Sequence, residues 1–383
     1  MKVSLADWKC SKRERELVNK VLDSGWISYG PYCKELEATW SDYHGCKYGV
    51  INNSGTSALQ LAFRALKEVH KWDSKCEVIV PAVTFPATIN MVIESGLKPL
   101  FVDVSEKDGM IDIVDMKKRI TKNTKAVCIV HLWGTPYPRK RELLALCKEH
   151  NLKIVEDSCE TIDRSVGHWG SVSCFSMYFN HIVSAGVGGM ACTNDPHLAD
   201  IMRSLANHGM IDTKVVPKFN RFNFSRVGYS MRVTEMEAAL GVAQFEKIDN
   251  TLAYRRSIRD ILTNELTKAD VHHVASLIGG TMMYPILFSQ VAGADLNSCM
   301  NFMDKEGVET RTAMPITNQP VYRGMVKYED YPVARRFNNQ GMFFPIHPMM
   351  KKAHCEHIAK AMNKWLHASG YHPCAYAIRT KCR

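Results

Sequence analysis

Between Cys76 and Asp195 the chain alternates short apolar runs with amphipathic stretches, and this rhythm restricts the possible folds more than any other feature of the sequence. Glu77 to Val80, Pro99 to Val104, Lys125 to His131 and Lys153 to Glu156 have the length and content of strands, whereas Pro86 to Glu94 and Arg139 to His150 have helical spacing. Strands that alternate with helices predict an α/β fold, with a mainly parallel mixed sheet between helices. Ligands of such sheets bind beyond the carboxyl ends of the strands, so chemistry is to be sought in the loops that follow these runs. Further along, Asp195-Pro196 reads as N-cap and first helical residue, His208-Gly209 as a helix stop, and Thr234 with Glu237 as a capping box opening a helix to about Lys247. The boundary near that point predicts a large domain over residues 1–248 and a smaller α+β domain over residues 249–383. The smaller one should hold a long helix through Tyr254 to Leu266, short strands around Thr281 to Phe288 and a final helix near Ala353 to His367.

Composition narrows the function classes. No apolar run among the 383 residues approaches the roughly 20 that a membrane span needs. Asp7, Trp8 and Lys9 interrupt the segment that a secretory signal would keep apolar, which predicts a cytoplasmic protein. Thirteen cysteines are scattered without a CxxC pair and read as reduced thiols rather than disulfides or metal ligands. Cys374 and Cys382, in a basic tail, read as part of a disordered end rather than half of a metal cluster. The net charge of +10, from 49 Lys+Arg against 39 Asp+Glu, favours anionic partners. No helix-turn-helix, zinc finger or aromatic-interleaved basic stripe points to nucleic acid, so a phosphate-bearing small molecule is the expected anion.

Three segments carry candidate chemistry. Asn53-Ser54-Gly55-Thr56-Ser57 precedes the helical run Ala58 to Leu66, and a helix N-terminus with hydroxyl residues is either a phosphate cradle or a simple N-cap. Asp157 follows the apolar run Ile154-Val155-Glu156, where a carboxylate holds a ring nitrogen protonated or caps the next turn. The third segment is Phe175-Ser176-Met177-Tyr178-Phe179-Asn180-His181, continuing to Val187-Gly188-Gly189.

This third segment resembles the DegT/StrS sugar-nucleotide aminotransferases, whose matching stretch reads F-S-x-x-x-x-K and ends in an acidic residue before Gly-Gly. The resemblance extends over nearly the whole chain. It includes Trp26 to Pro31, Ser54-Gly55-Thr56, Pro81 to Phe85, His131 to Gly134, Glu156 to Glu160, His208-Gly209, Gly228 to Arg232 and Phe344 to Pro348. It implies the type I fold of pyridoxal-phosphate enzymes and pyridoxal 5'-phosphate or pyridoxamine 5'-phosphate as cofactor. Gly55, Thr56 and Ser176 match the phosphate contacts, Phe85 the aromatic stacked on the ring, Asp157 the partner of the ring nitrogen and Glu160 the contact to the ring hydroxyl. The family's homodimers complete each site from the neighbouring subunit through an asparagine, which is Ser230 here. Tyr29, His208, Arg232 and Arg311 are candidates for the nucleotide-sugar pocket, with helix capping as the plainer reading of His208.

His181 occupies the position of the family's lysine. Imidazole cannot form the covalent link that a primary amine forms with the cofactor, and no lysine occurs from Arg164 to Asn194. A histidine here is what the sugar 3-dehydratases of the family show, above all the GDP-4-keto-6-deoxymannose 3-dehydratases. The resemblance then implies that pyridoxamine phosphate condenses with a 4-keto-6-deoxy sugar, that His181 is the acid and base, and that glutamate regenerates the cofactor. An unperturbed imidazole titrates near pH 6.5 and suits proton transfer in both directions. Ile182 replaces the second histidine common in those dehydratases, and Val187 replaces the acidic residue before Gly188. The alternatives are an aminotransferase making a 4-amino sugar with glutamate as donor, and a relative that has lost activity.

Overall fold

The computed structural model describes residues 1–211, 222–271, 274–277, 279–289, 295–314 and 316–369; Cys374 and Cys382 lie outside them. The chain forms two compact units, one of Lys9–Val104 with Met110–Ile248, the other of Met1–Trp8, Ser105–Gly109 and Asp249–Arg383.

In the first unit, α1 (Lys12–Ser24) and α2 (Pro31–Tyr43) lead to β1 (Tyr48–Asn52) and α3 (Gly55–His70). The rhythm seen in the sequence follows as β2 (Glu77–Pro81), α4 (Pro86–Glu94), β3 (Lys98–Val102), α5 (Ile113–Arg119), β4 (Thr124–Val130), α6 (Lys140–Glu149) and β5 (Lys153–Asp157). Then come β6 (Val172–Ser176), β7 (Gly189–Thr193), α7 (Pro196–Ala206) and α8 (Glu235–Phe245). The seven strands form one sheet in the order β1-β7-β6-β5-β4-β2-β3. β7 runs against both of its neighbours, and the pairs from β6 through to β3 are parallel. The inner parallel strands β2 and β4 are buried over most of their length, which is why Val78-Ile79-Val80 and Ala126 to Ile129 are continuous apolar runs rather than alternating ones.

The second unit comprises α9 (Ile248–Lys268, whose first residue clusters with the other unit), β8 (Ala275–Leu277), β9 (Met283–Phe288), α10 (Leu296–Lys305), β10 (Arg311–Thr312), α11 (Pro332–Gln340), β11 (Gly341–Pro345) and α12 (Lys352–Ala368). Its four strands form an antiparallel sheet in the order β10-β11-β9-β8. Leu262, Tyr284, Phe288, Met303, Phe344 and Trp365 belong to its core. None of the described helices is long and apolar enough to cross a membrane.

The domain division differs from the expectation in two segments. The first eight residues and the segment Ser105–Gly109 pack with the second unit, not with the sheet domain that their position in the sequence suggested. Val3 is buried in the second core; its N–H donates to the Gly307 carbonyl at 2.8 Å and its carbonyl accepts from Glu309 at 2.9 Å. Arg336 pairs with Glu106 at 2.6 Å. The helix expected to run from the Thr234 capping box to about Lys247 is α8, which ends at Phe245 with Glu246 as its cap, and α9 starts anew at Ile248. His208-Gly209 does close α7: the helix ends at Ala206 with Asn207 as its cap, and the Gly209 N–H donates back to the Ser204 carbonyl of the last turn at 2.7 Å. His208 and Gly209 have positive φ, +60° and +83°, and turn the chain beyond the helix. A Cβ on Gly209 would lie 1.8 Å from the Arg226 carbonyl oxygen, so only glycine fits there.

α2 shows how one buried side chain fixes a helix start. Its N-cap is Gly30, which has no side chain to offer the orphan N–H groups of the first turn. The carboxyl group of Glu235, 2% exposed at the start of α8, accepts from Tyr32 N–H at 2.9 Å and Cys33 N–H at 2.8 Å. Glu235→Ala leaves those donors buried and should cost about 3 kcal/mol, read as a lower midpoint of chemical denaturation, with Glu235→Gln recovering part of it.

Candidate active site

The chemistry gathers at the carboxyl ends of β1, β5 and β6. After β1, the Asn53 N–H donates to the Met231 carbonyl at 2.8 Å, and Ser54 caps α3 by accepting from Ser57 N–H at 3.0 Å. The first turn of α3 therefore presents its remaining N–H groups and the positive end of its dipole from a fixed position. A Cβ on Gly55 would lie 2.6 Å from Cys159 Sγ and 2.8 Å from Ser176 Cβ, so the helix start sits directly against the ends of β5 and β6. Thr56 is exposed on the same turn. Gly189 is the cross-strand partner of Ser176, and a Cβ there would lie 2.3 Å from the Ser54 carbonyl oxygen. Gly55, Ser176 and Cys159 are thus brought together, and Cys159 is a lining residue that the sequence reading missed.

Asp157 ends β5 and is 5% exposed. Its Oδ1 accepts from Cys159 N–H at 3.2 Å and its Oδ2 from the Thr88 hydroxyl at 2.7 Å. Thr88 Oγ1 is in turn 3.0 Å from Thr84 Oγ1. The neighbour of Thr84 is Phe85, the N-cap of α4, which is 59% exposed although Pro81 to Thr84 before it are buried. A large apolar ring left in water beside a buried polar chain is a platform suited to a flat partner.

Glu160 is buried, and its Oε2 accepts from the Trp133 N–H at 2.7 Å. Trp133 adopts a left-handed φ of +63° to aim that N–H, a strained conformation for a bulky residue. Burial pushes the Glu160 carboxyl up to about 8; the Trp133 N–H opposes this and the charge of Asp157 adds to it. Glu160 therefore carries a proton at neutral pH. Glu156, next to Asp157, behaves in the opposite way. Burial disfavours its charge, yet His131 at 3.2 Å, the N–H groups of Gly167, Trp169 and Gly170, and the Ser173 hydroxyl pull it down to about 2.

His181 lies on the hairpin that joins β6 to β7. Met177 N–H donates to the Gly188 carbonyl, Ala185 N–H to Met177 and Phe179 N–H to Gly186, at 2.9, 3.0 and 3.1 Å. At the tip, His181 N–H donates to the Tyr178 carbonyl at 2.9 Å, and its half-buried ring meets the Tyr178 ring edge to face with 5.8 Å between centroids. Gly188 has φ +138°, and a Cβ there would lie 2.7 Å from Met177 Cε, so the glycine is structural. Val187 is half exposed on the same hairpin, whereas Ile182 is buried.

His208, Ser230 and Arg232 form an exposed cluster. Arg232 Nη2 donates to His208 Nε2 at 3.2 Å and to Ser230 Oγ at 3.1 Å. The strand-like pairing of Asn207 with Ser230, with Met231 N–H on the Ala206 carbonyl at 3.0 Å, places this cluster beside the Asn53 turn. The other two candidates have hydrogen-bond partners of their own. The Tyr29 hydroxyl donates to Glu37 Oε2 at 2.9 Å, and Arg311, exposed on β10 of the second unit, donates to the Thr310 carbonyl. Burial, reinforced by Glu37, pushes the Tyr29 hydroxyl far up. Thr84, Thr88 and Trp133 went unassigned in the sequence; Thr84 and Trp133 had only their membership of the short matching runs at Pro81 to Phe85 and His131 to Gly134 as a signal, and Thr88 had none.

Comparison with known proteins gives the family and agrees with the fold. The profile of the DegT/DnrJ/EryC1/StrS aminotransferase family matches residues 9–363. The GDP-perosamine synthase of Vibrio cholerae is 30% identical over 348 residues, covering 88% of this chain and 91% of that protein. The GDP-4-keto-6-deoxy-D-mannose 3-dehydratase of Yersinia pseudotuberculosis is 30% identical over 272 residues, covering 66% and 68%. The structure of E coli GDP-4-keto-6-deoxy-D-mannose-3-dehydratase with bound hydrated PLP shares the fold, with a TM-score of 0.86 over 94% of this chain and all of that one at 23% identity. The chain belongs to the DegT/DnrJ/EryC1/StrS aminotransferase family and is a pyridoxal-phosphate-dependent enzyme of that family.

Proposed function

We propose that the enzyme removes the 3-hydroxyl of a nucleotide-linked 4-keto-6-deoxy sugar, with the cofactor in its pyridoxamine phosphate form and His181 as acid and base. The observation that carries this reading is an imidazole on the β6–β7 hairpin, where the family keeps a lysine, in a stretch from Arg164 to Asn194 that contains no lysine. The residues present fit a flat, phosphate-bearing ring with a basic nitrogen. Gly55, Thr56 and Ser176 would hold the phosphate at the start of α3, Phe85 would stack on the ring, and Asp157 would face its nitrogen. Glu160, protonated at neutral pH, would donate to the ring oxygen. Once bound, the cofactor supplies the amine that condenses with the sugar ketone and a ring that accepts electrons. His181 moves a proton between the cofactor's C4′ and the departing 3-hydroxyl, and its position on a hydrogen-bonded hairpin restricts where that proton travels.

The guanidinium of Arg232, braced by His208 and Ser230, suits an anionic group, either the carboxylate of glutamate as amino donor or the phosphates of the nucleotide. A homodimer in which Ser230 reaches the neighbour's site, and a cytoplasmic location, complete the proposal. The second reading is amino transfer to give a 4-amino sugar, which the similarity to a GDP-perosamine synthase over 88% of the chain favours.

Incubation with pyridoxamine phosphate and a panel of GDP- and CDP-4-keto-6-deoxy sugars, followed by mass spectrometry, separates the two. Loss of water is expected, whereas a 4-amino sugar decides for amino transfer. His181→Ala should slow the loss of water by about 10²- to 10⁴-fold while the protein still takes up pyridoxamine phosphate; undiminished water loss removes the role given to His181.

Glu160 makes a separate prediction for the protein free of cofactor. Its folded-state value of about 8 lies above its ordinary 4.5, so between those values the folded chain binds the extra proton and the unfolded chain does not. This group therefore costs stability as pH rises through that window. Glu160→Gln should be more stable than the parent by about 1–3 kcal/mol at about pH 9, with the gain shrinking toward about pH 5, as measured by denaturation at both values. A gain that does not grow with pH means that Glu160 is not held protonated.

A further inference from the structure

The hydroxyls beneath Asp157 have no role in the reading so far, yet their proton directions can be deduced. Thr84, Thr88 and Asp157 are 1%, 0% and 5% exposed, so water does not serve them. A threonine hydroxyl has one proton. Thr88 gives its proton to Asp157 Oδ2 at 2.7 Å, so in the 3.0 Å contact with Thr84 it must accept, and Thr84 must donate. The chain of donors therefore runs one way, from Thr84 through Thr88 to Asp157, and each bond polarises the next. Among the described residues no cation pairs with Asp157. The neighbouring thiols of Cys128, Cys159 and Cys174 are pushed well above their ordinary range by burial and stay neutral, and Glu160 is protonated up to about 8. Apart from the Cys159 N–H, the hydroxyl chain is what stabilises negative charge on this carboxylate.

We propose that Thr84 and Thr88 are positioning residues that determine where the proton between Asp157 and the cofactor's ring nitrogen resides, keeping it on nitrogen by stabilising the carboxylate. This rests on the reading of Asp157 as the partner of that nitrogen. Without the donors, the ion pair loses support relative to its neutral form, and the proton moves to the carboxyl oxygen. The ring then accepts electrons less readily, although every group touching the cofactor is still in place.

The test is ¹⁵N NMR of pyridoxamine phosphate labelled at the ring nitrogen and bound to the full-length protein at neutral pH. The parent protein should show a protonated ring nitrogen. Thr88→Val, which keeps the shape and removes the donor, should move the resonance toward the unprotonated position, corresponding to about a tenfold or greater rise in the oxygen-bound form. Thr88→Ser should restore the parent signal, and Thr84→Val should give a smaller change in the same direction. A loss of packing alone would not move this resonance. If both valine variants keep the parent signal while Asp157→Asn loses it, the hydroxyl chain does not govern the proton and the proposal falls, with the role of Asp157 intact. If Asp157→Asn also keeps the parent signal, the underlying reading of Asp157 is overturned. Should Thr88→Val not fold, Thr84→Val and Thr88→Ser carry the same comparison.

Discussion

Two adjacent carboxyl groups at the end of β5 organise the catalytic unit. Successive side chains of a strand point to opposite faces, so Glu156 and Asp157 cannot share an environment. Glu156 faces inward and gathers His131, Ser173 and three backbone N–H groups of the segment 167–170 around its charge. That network ties the end of β5 to β6 and to the loop after β4. Asp157 faces the other way, with a hydroxyl and one N–H as partners, and keeps capacity for a ligand. One strand end thus supplies both the anchor of the local structure and the charge that the proposed chemistry would use, and its rigidity comes from the carboxylate to which that proposal gives no role.

Much of this was legible in the sequence because it depended on short-range rules. The strand and helix rhythm from Glu77 to Asp157, the Asp195-Pro196 start of α7 and the Thr234-Glu237 capping box are local chemistry, and each is an element boundary in the structure. β1 and β7 were not foreseen, since each five-residue run carries a glycine that weakens its strand signal, and β7 enters the sheet against the direction of its neighbours. His208-Gly209 was legible as a helix stop because that rule is local; the contact of His208 with Arg232 was not, since it depends on a return of the chain 24 residues later.

The candidate site divides along the same line. Ser54-Gly55-Thr56 and Asp157 announce themselves through position, one at a helix start and the other at a strand end. Thr88, 69 residues from Asp157, does not: its role exists only because α4 lies over the end of β5, and its side chain alone is an ordinary helical threonine. Glu160 is similar. A carboxyl group in sequence is acidic by default, and only burial, outweighing the opposing Trp133 N–H, pushes this one up to about 8.

The hairpin between β6 and β7 has a consequence for supply. Its ends are fixed by the sheet ladder and its tip by backbone hydrogen bonds, none of which involves the side chain at position 181. With imidazole there, and no amine elsewhere on the loop, this hairpin offers the vitamin no covalent tether. Retention then follows mass action: the loaded fraction, and the added resistance to unfolding that comes with it, rise and fall with the free vitamer concentration in the surroundings.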